Sequence, residues 1–422
     1  MYLTDRSATP EADTTPGRRR GPGPKVAPVV LVLGTVSLIT DVSSEMVTAV
    51  LPLYLVTTLG FSPLGFGALD GVYNGVSALV QLTGGHLADR IRNHKLLAGL
   101  GYGLSALCKP LLLLAGSIGA LGTVLALDRT GKGLRTAPRD AMISLSTPVE
   151  RQGRAFGVHR AMDTTGAMLG PLAAFFILRA AADGYDAVFG VSACVAVLGV
   201  VVLLLFVPGR RRDTLDDEAG AEPRPPVRVG EALALLRVPR LRALAGCAAL
   251  LGLTTVSDAF VYLLLQRRAG VGEEWFTLLP LGTAVVFLLL AVPLGALADR
   301  IGRRTVFLAG HVGLLTAYAL LLWAPDTPLL VPAVLALHGA FYAATDGVLP
   351  AALAAVVPEH LRASGLAIVG TSQALARFCC SLAFGAAWTL WGDGPALAGS
   401  AVGLLCCAVV AGVVLRPSGG SR

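Results

Sequence analysis

Charged residues are scarce in this chain, and their scarcity excludes a soluble globular protein. Only 14% of the 422 residues are Asp, Glu, Lys or Arg, whereas soluble domains carry about 25%. Mean hydropathy is +0.70. Residues 187–207, 276–298 and 395–415 contain no charge at all, and each is as long as the roughly 20 residues that cross a bilayer. The chain is therefore predicted to be an integral membrane protein.

Catalytic and cofactor signatures are missing too. The sequence has no nucleophile elbow, no phosphate-binding loop and no output or nucleotide-binding domain. Its seven cysteines all fall in apolar segments without metal-ligand spacing. With 6% aromatic residues, a broad stacking site is not obvious. We expect neither an enzyme nor a metal or other cofactor. The net charge of +7 reflects cations at helix ends, so no nucleic-acid partner is expected.

Apolar segments separated by charged or Gly/Pro-rich breaks predict an all-α membrane protein with twelve transmembrane helices. Pro and Gly inside these segments are compatible with helices, because neighbouring helices can satisfy the backbone groups they free. The predicted spans are 29–58, 64–89, 95–115, 120–146, 153–178, 186–207, 241–266, 274–298, 304–323, 329–356, 363–390 and 395–415.

Lys and Arg in the short loops predict the orientation. Five cationic loops, including "DRIRNHK" and "DRIGRR", share one side if both termini are cytoplasmic. A cytoplasmic membrane is the expected location. The predicted organisation is a tail, a six-helix bundle, a charged linker, a second six-helix bundle and a tail, at residues 1–25, 26–207, 208–240, 241–415 and 416–422.

An internal repeat supports the two bundles. "GHLADRI" begins at Gly85 and "GALADRI" at Gly295, 210 positions later. "LALDRTG" at 125 and "LALHGAF" at 335 share this offset, as do Pro148 and Pro358. A constant offset indicates two halves of common ancestry, in parallel orientation about an axis normal to the membrane.

Twelve spans, a repeat of six plus six and the loop "G-x-L-A-D-R-x-G-R-R" resemble the major facilitator superfamily. The second copy has Gly295, Asp299, Arg300, Arg303 and Arg304; the first has Gly85, Asp89 and Arg90 but departs at Arg92 and Asn93. The resemblance implies a cytoplasmic gate in which an Asp pairs with neighbouring cations or a helix N-terminus. Arg139 and Asp140, near the same end, are expected to join it. Orientation alone could also explain these cations.

Two further motifs are similar to motifs of that superfamily. "RTGKG" at 129–133 resembles R-x-x-Q-G with Lys132 in place of Gln, and the resemblance implies proton transfer for Arg129. Gly157, Gly166, Gly170 and Pro171 match G-x8-G-x3-G-P, which is associated with antiporters. Small residues at this spacing also serve ordinary helix packing. The run "DRTGKGLRTAPRD" at 128–140 is similar to a bacterial subfamily of antiporter-like transporters.

Charge on the fourth span predicts an inward-facing stripe. Residues of one helix face recur at intervals of three and four, as Asp128, Lys132, Arg135 and Arg139 do. Ionised groups in hydrocarbon cost several kcal/mol, so they must meet water or partners. The specific hypothesis is that Asp41 or Glu45 pairs with Arg129. The full set of candidate partners and coupling residues is Asp41, Glu45, Arg129, His159, Arg160, Asp163, Asp258, His338, Asp346 and Arg377.

The predicted function is secondary transport of a small molecule by alternating access, driven by proton antiport and directed outward. Uptake or exchange of an organic anion is the alternative, with Arg129 and Arg135 as ligands. A membrane sensor that does not transport is the remote alternative. The expected partners are the substrate, protons and lipid, and a monomer suffices for the mechanism.

Overall fold

The computed structural model describes residues 27–73, 75–76, 80, 93–147, 152–181, 184–207, 237–325, 327–346 and 362–415. Both predicted tails and most of the predicted linker therefore lie outside the described residues. Within the described part every regular element is helical. We call residues 27–207 the N-terminal half and residues 237–415 the C-terminal half.

The N-terminal half contains six described helices. In chain order they are α1 (Pro28–Leu53), α2 (described from 63 to 73), α3 (His94–Leu114), α4 (Ile118–Leu145), α5 (Gln152–Ala180) and α6 (Gly184–Phe206). Pro52 removes a backbone donor from the last turn of α1. The chain continues as a π-helical turn, Tyr54–Thr58, and reverses at Gly60 with a φ of 64°.

The C-terminal half contains both long and interrupted helices. In chain order they are α7 (Pro239–Gly252), α8 (Asp258–Ala269), α9 (Glu273–Phe276), α10 (Leu279–Ile301), α11 (Arg303–Trp323), α12 (Leu330–Thr345), α13 (Arg362–Trp391) and α14 (Asp393–Val414). Residues 347–361, which follow α12, lie outside the described part.

The predicted span 241–266 is wrong as a single helix, because the chain breaks between α7 and α8. The hydroxyl groups of Thr254 and Thr255 both donate to the carbonyl of Leu251. Such local bonds compete with helical ones. The backbone N–H of Val256, freed by the break, donates to the Tyr318 hydroxyl at 2.9 Å. The Val256 N–H at the break is therefore paired although Val256 is buried.

The two halves pack their helices in matching pairs. In the N-terminal half α1 packs on α5 and α6, while α3 packs on α4 and α6. In the C-terminal half α7 packs on α13 and α14, while α11 packs on α12 and α14. This correspondence is the structural counterpart of the sequence repeat. The exact domain limits stay predictions.

Eight helices in the described part are long and apolar enough to cross a membrane. α4 is also long, with 28 residues, but carries six charged side chains. The architecture is thus an all-helical, multi-pass membrane fold, while the number of twelve spans stays a prediction. We call the end of the bundle with the turns at 59–62, 115–117 and 392 the outer end, following the predicted orientation.

Candidate functional site

A cavity of about 370 Å³ lies between the two halves. This volume falls within the range of about 300–1,000 Å³ that is usual for small-molecule sites. Side chains of both halves line it, and they are Glu45, Thr48, Ala49, Pro52, Asp70, Tyr73, Thr255, Val256, Ser257, Asp258, Ala259, Tyr262, Phe276, Pro280, Thr283, Ala284, Phe287, Tyr342, Asp346 and Arg377.

The N-terminal wall of the cavity comes from α1 and α2. Glu45 and Thr48 lie about one turn apart on α1, and both face the cavity. The Tyr73 hydroxyl and the Thr48 hydroxyl are 2.8 Å apart and share a hydrogen bond. Asp70 accepts a hydrogen bond of 2.6 Å from Ser381 of the opposite half. Asp70 therefore belongs to the cavity wall and also bridges the halves.

The C-terminal wall holds a hydrogen-bonded acid. Asp258 is the first residue of α8, directly after the helix break. Its Oδ1 accepts from the Tyr342 hydroxyl at 2.5 Å and lies 3.0 Å from His338 Nε2. His338 is fully buried, whereas the Asp258 side chain is 44% exposed and lines the cavity. The break thus places a carboxylate at the cavity surface.

Negative charge dominates the lining. Four carboxylates, Glu45, Asp70, Asp258 and Asp346, face the cavity with one guanidinium, Arg377. Charges in such a cleft act through low-dielectric walls, which strengthens their field at a bound ligand. The predicted second-half set, Asp258, His338, Asp346 and Arg377, is therefore brought together, with His338 behind Asp258. The lining therefore holds more carboxylates than cations.

The charged stripe of α4 lies mostly outside the cavity. Asp128 is only 4% exposed, and it pairs with Arg129 Nη2 at 2.8 Å through Oδ2. Its Oδ1 accepts from Lys109 at 3.0 Å and from Ser105 at 2.8 Å. The Arg129 guanidinium lies 3.9 Å above the Tyr73 ring. Asp128 and Arg129 are thus paired inside the N-terminal half, and no described residue of α4 lines the cavity.

Asp41 meets Arg135 rather than Arg129, the partner that the specific hypothesis named. The Asp41 Oδ1 to Arg135 Nη2 distance is 3.4 Å, and the Arg135 guanidinium lies 4.5 Å above the Tyr102 ring. The depth of each residue in the membrane explains the pairing. α1 and α4 run in opposite directions, so the residue closer to the cytoplasmic end of one faces its counterpart on the other. Asp128 and Glu45 are the acids within electrostatic reach of Arg129.

A third group lies at the cytoplasmic end of the stripe. Arg139 bonds Asp140 at 3.0 Å, lies 3.6 Å from Asp163 and donates to the Ser37 hydroxyl at 3.2 Å. His159 Nε2 is 3.1 Å from the same Ser37 oxygen. These residues link α1, α4 and α5 within one half. Arg160 is exposed and Lys132 half-buried, and neither lines the cavity.

The predicted antiporter glycines lie where α5 crosses α1. A β-carbon added to Gly166 would lie 2.5 Å from the Leu38 carbonyl oxygen. One added to Gly170 would lie 2.7 Å from the β-carbon of Glu45. Pro171 follows inside α5, and the surroundings of Gly157 lie outside the described part. The glycines therefore allow close helix contact beside a cavity residue.

The predicted cytoplasmic gate is described only in part. Gly85, Asp89, Arg90 and the side chain of Asp299 lie outside the described residues. Gly295 has open space at its β-carbon position and Arg300 is exposed. Arg303 and Arg304 begin α11, and Arg304 donates to the Gly412 carbonyl near the end of α14. A cation there is favourable because a helix C-terminus carries partial negative charge.

The halves touch each other near the outer end. A β-carbon added to Gly67 would lie 2.4 Å from the Ser381 carbonyl oxygen, and one added to Gly385 would lie 2.5 Å from that of Pro63. Rings of Phe66 and Phe260 stack edge to face at 4.7 Å. Further bridges join Tyr185 to Glu273 at 2.8 Å and Phe175 to Trp275 at 5.1 Å. Among the described residues, these contacts close the outer end.

Sequence reasoning missed several residues of this site. Lys109 lies behind the cavity wall and is 2% exposed, and a lysine among apolar residues in the second half of the third span was the available signal. Asp70 and Tyr73 fall in the second span, where one acid among apolar residues was again visible. Their partners were not, because cross-helix contacts depend on rotation and depth. Among the described residues, no group of His, Cys, Asp and Glu could hold a metal ion.

Comparisons with known proteins show the family and the fold of this chain. A family model described as Major Facilitator Superfamily matches residues 33–289 and 275–422. An uncharacterized MFS-type transporter of Methanocaldococcus jannaschii is 29% identical over 397 residues, which are 92% of this chain and 94% of that protein. The solved nucleoside transporter NupG superposes with a TM-score of 0.76 at 14% identity, covering 92% of this chain and 100% of that one.

A second solved structure shares the fold. It is a bacterial homolog of the human lysosomal transporter Spinster, in an inward-facing and unoccupied conformation. The TM-score is 0.67 at 17% identity, over 94% of this chain and 95% of that one. Identities this low show a common fold alone.

Proposed function

This chain belongs to the major facilitator superfamily, and from that premise we propose that it exports a small cationic molecule in exchange for protons. The chain is a multi-pass membrane transporter rather than an enzyme. Outward direction, proton coupling and a cationic substrate are the proposed parts. A location in the bacterial cytoplasmic membrane with both termini inside belongs to the same proposal.

The charge of the cavity carries the proposal. Four carboxylates and one guanidinium face a space of about 370 Å³ between the halves. A monovalent cation would offset part of this excess negative charge, and so would a proton. Competition between the two for the same carboxylates provides a simple basis for exchange. Glu45 and Asp258, one from each half, are the acids we assign to it.

The closed outer end supports alternating access. In the described part, α2 touches α13 and α5 touches α9 on the outer side of the cavity. A transporter that takes its substrate from the cytoplasm needs a conformation closed on this side. Each charge that crosses 100 mV is worth about 2.3 kcal/mol, so inward movement of protons could sustain a useful substrate gradient.

Uptake of an organic anion has less support. That alternative required Arg129 and Arg135 to bind the substrate. Neither lines the cavity, and each already has a carboxylate partner and an aromatic ring. An anion would meet Arg377 only together with the surrounding acids.

The test uses three probes of similar size on one aromatic skeleton: a quaternary ammonium, a neutral isostere and a carboxylate. Purified protein is placed in liposomes with an acidic lumen, and uptake of each probe is measured. A quaternary ammonium has no neutral form, so it cannot accumulate by passive trapping. We expect uptake of this probe alone, with loss of uptake on adding a protonophore. Uptake of the carboxylate instead would overturn the proposal.

Variants of the assigned acids complete the test. Glu45→Gln and Asp258→Asn are expected to lose gradient-driven uptake while inserting normally. Asp186→Asn is the matched control, because Asp186 is an exposed acid in the first turn of α6, away from the cavity. Binding of the ammonium probe without flux under any gradient would favour a sensor.

A further inference from the structure

We propose that Lys109 is a positioning residue of the transport site, acting through Asp128 and Arg129 on the cavity wall. The inference rests on the proposed function above, because it assigns a role within the same site. Lys109 does not line the cavity and lies in a different helix from every residue that does. Its effect must therefore be transmitted.

Burial identifies Lys109 as an unusual residue. Its side chain is 2% exposed, between apolar residues of α3. A lysine five residues before the end of a membrane helix could extend its stem and reach the interface. Lys109 instead points across to α4, where its Nζ lies 3.0 Å from Asp128 Oδ1. The charge is kept inside the half.

The two oxygens of Asp128 have separate donors. Oδ1 accepts from Lys109 and Ser105, while Oδ2 accepts from Arg129 at 2.8 Å. Donors on both oxygens fix the rotation of the carboxylate, since charge-assisted hydrogen bonds are directional. Without Lys109, Oδ1 would keep only the Ser105 hydroxyl. The carboxylate could then turn and take Arg129 with it.

Arg129 carries this constraint to the cavity. Its guanidinium lies 3.9 Å from the centre of the Tyr73 ring, within the range of a cation–π contact. Tyr73 lines the cavity, and so does Thr48, its hydrogen-bond partner. Arg129 also lies within electrostatic reach of Glu45. Lys109 therefore helps to determine where a positive charge sits relative to a cavity carboxylate.

Close packing of α3 on α4 keeps the geometry rigid. A β-carbon added to Gly101 would lie 2.7 Å from the Gly131 carbonyl oxygen, and one added to Gly131 would lie 2.6 Å from that of Gly101. These reciprocal contacts fix the two helices one to two turns away from the Lys109–Asp128 pair. The backbone that carries these side chains therefore cannot shift easily.

The experiment compares Lys109→Met, Lys109→Arg and the double variant Lys109→Met/Asp128→Asn. We expect Lys109→Met to lower the melting temperature and to raise KM for the quaternary ammonium probe at least fivefold. Lys109→Arg keeps the positive charge, so its melting temperature and its KM should both lie close to the wild-type values. The double variant also leaves buried Arg129 without its carboxylate partner, so it should melt no higher than Lys109→Met and should keep the raised KM. If it recovers the wild-type KM, Lys109 only balances the charge of Asp128 and the proposal is overturned.

A matched control lies in the same helix. Lys95 donates to the Val207 and Leu204 carbonyls at the end of α6 and has no link to the cavity. Lys95→Met should leave KM unchanged. If Lys95→Met raises KM by the same factor, the effect is not specific to Lys109, and the proposal is also overturned.

A second readout does not depend on transport. Fluorotyrosine placed at Tyr73 reports the cation above its ring through the fluorine resonance. Lys109→Met should move this resonance toward the position found for Arg129→Gln, and an unmoved resonance would contradict the inference. If the wild type shows no flux while the resonance moves, the proposed function fails but the positioning role of Lys109 stands.

Discussion

Two glycines at the contact between the halves allow the closed outer end to be tested directly. Neither Gly67 nor Gly385 has room for a β-carbon. A β-carbon would lie 2.4 Å from a carbonyl oxygen of the opposite half at Gly67 and 2.5 Å from one at Gly385. An ordinary contact needs at least 3.4 Å. Gly385→Ala therefore requires α2 and α13 to separate by about 0.9 Å. The clash exists only when the outer end is closed, so the substitution disfavours that conformation and not the fold.

The size of the shift follows from the cost of overpacking. An extra carbon in a close contact costs about 1–3 kcal/mol. Applied to one of two conformations, this energy changes their ratio by about 5- to 150-fold. A protein that is mainly closed at the outer end would then populate the open conformation measurably. The predicted direction is toward opening for both glycine variants.

Distances between spin labels measure this shift. Labels at Gly116 and Thr327, in exposed turns of opposite halves, are introduced after replacement of the seven free cysteines. Gly385→Ala should add a population at longer distance. Gly190→Ala, with nothing within 4 Å of the added carbon, should match the wild type. An unchanged distance for Gly385→Ala, together with a lower melting temperature, would refute the reasoning.

Three further predictions concern stability. Tyr318→Phe leaves the buried N–H of Val256 unpaired and should cost about 1–3 kcal/mol, measured as a lower melting temperature in detergent. Asp41→Asn removes the carboxylate partner of buried Arg135 and should destabilise the protein, whereas adding Arg135→Gln should restore part of the loss. Asp393→Asn removes an exposed ion pair and should change unfolding free energy by less than about 1 kcal/mol.

Hydropathy predicted helix positions well and helix interruptions poorly. Long uncharged runs mark α6, α10 and α14 because a bilayer demands continuous apolar surface. The break at 253–257 escapes the same reasoning, since "LTTVS" is apolar enough to continue a helix. The interruption depends on a partner far along the chain, the Tyr318 hydroxyl that receives the Val256 N–H. A single sequence does not reveal such a partner.

The candidate site was predicted as a set of residues and not as a set of pairs. Periodicity on α4 placed Asp128 and Arg135 on one inward face, and both are buried. The pairing of Asp41 with Arg135 depends on the relative depth of two antiparallel helices. The cavity itself depends on α2 and α8, whose rotation no pattern fixed. Residue chemistry was thus readable from the sequence, whereas partners required three dimensions.

Because of the repeat, residues at equivalent positions of the two halves can be compared in their contribution to stability and to transport. Asp128 and His338 occupy equivalent positions, yet Asp128 is buried with Lys109 and Arg129 while His338 bonds Asp258 at the cavity. Asp128→Asn strands two buried cations and should cost about 3–5 kcal/mol. Asp258→Asn keeps an acceptor for the Tyr342 hydroxyl, so the fold should melt as in the wild type while flux is lost. Melting curves and flux per folded protein separate these outcomes, and a lower melting temperature for Asp258→Asn than for Asp128→Asn would contradict the division of roles.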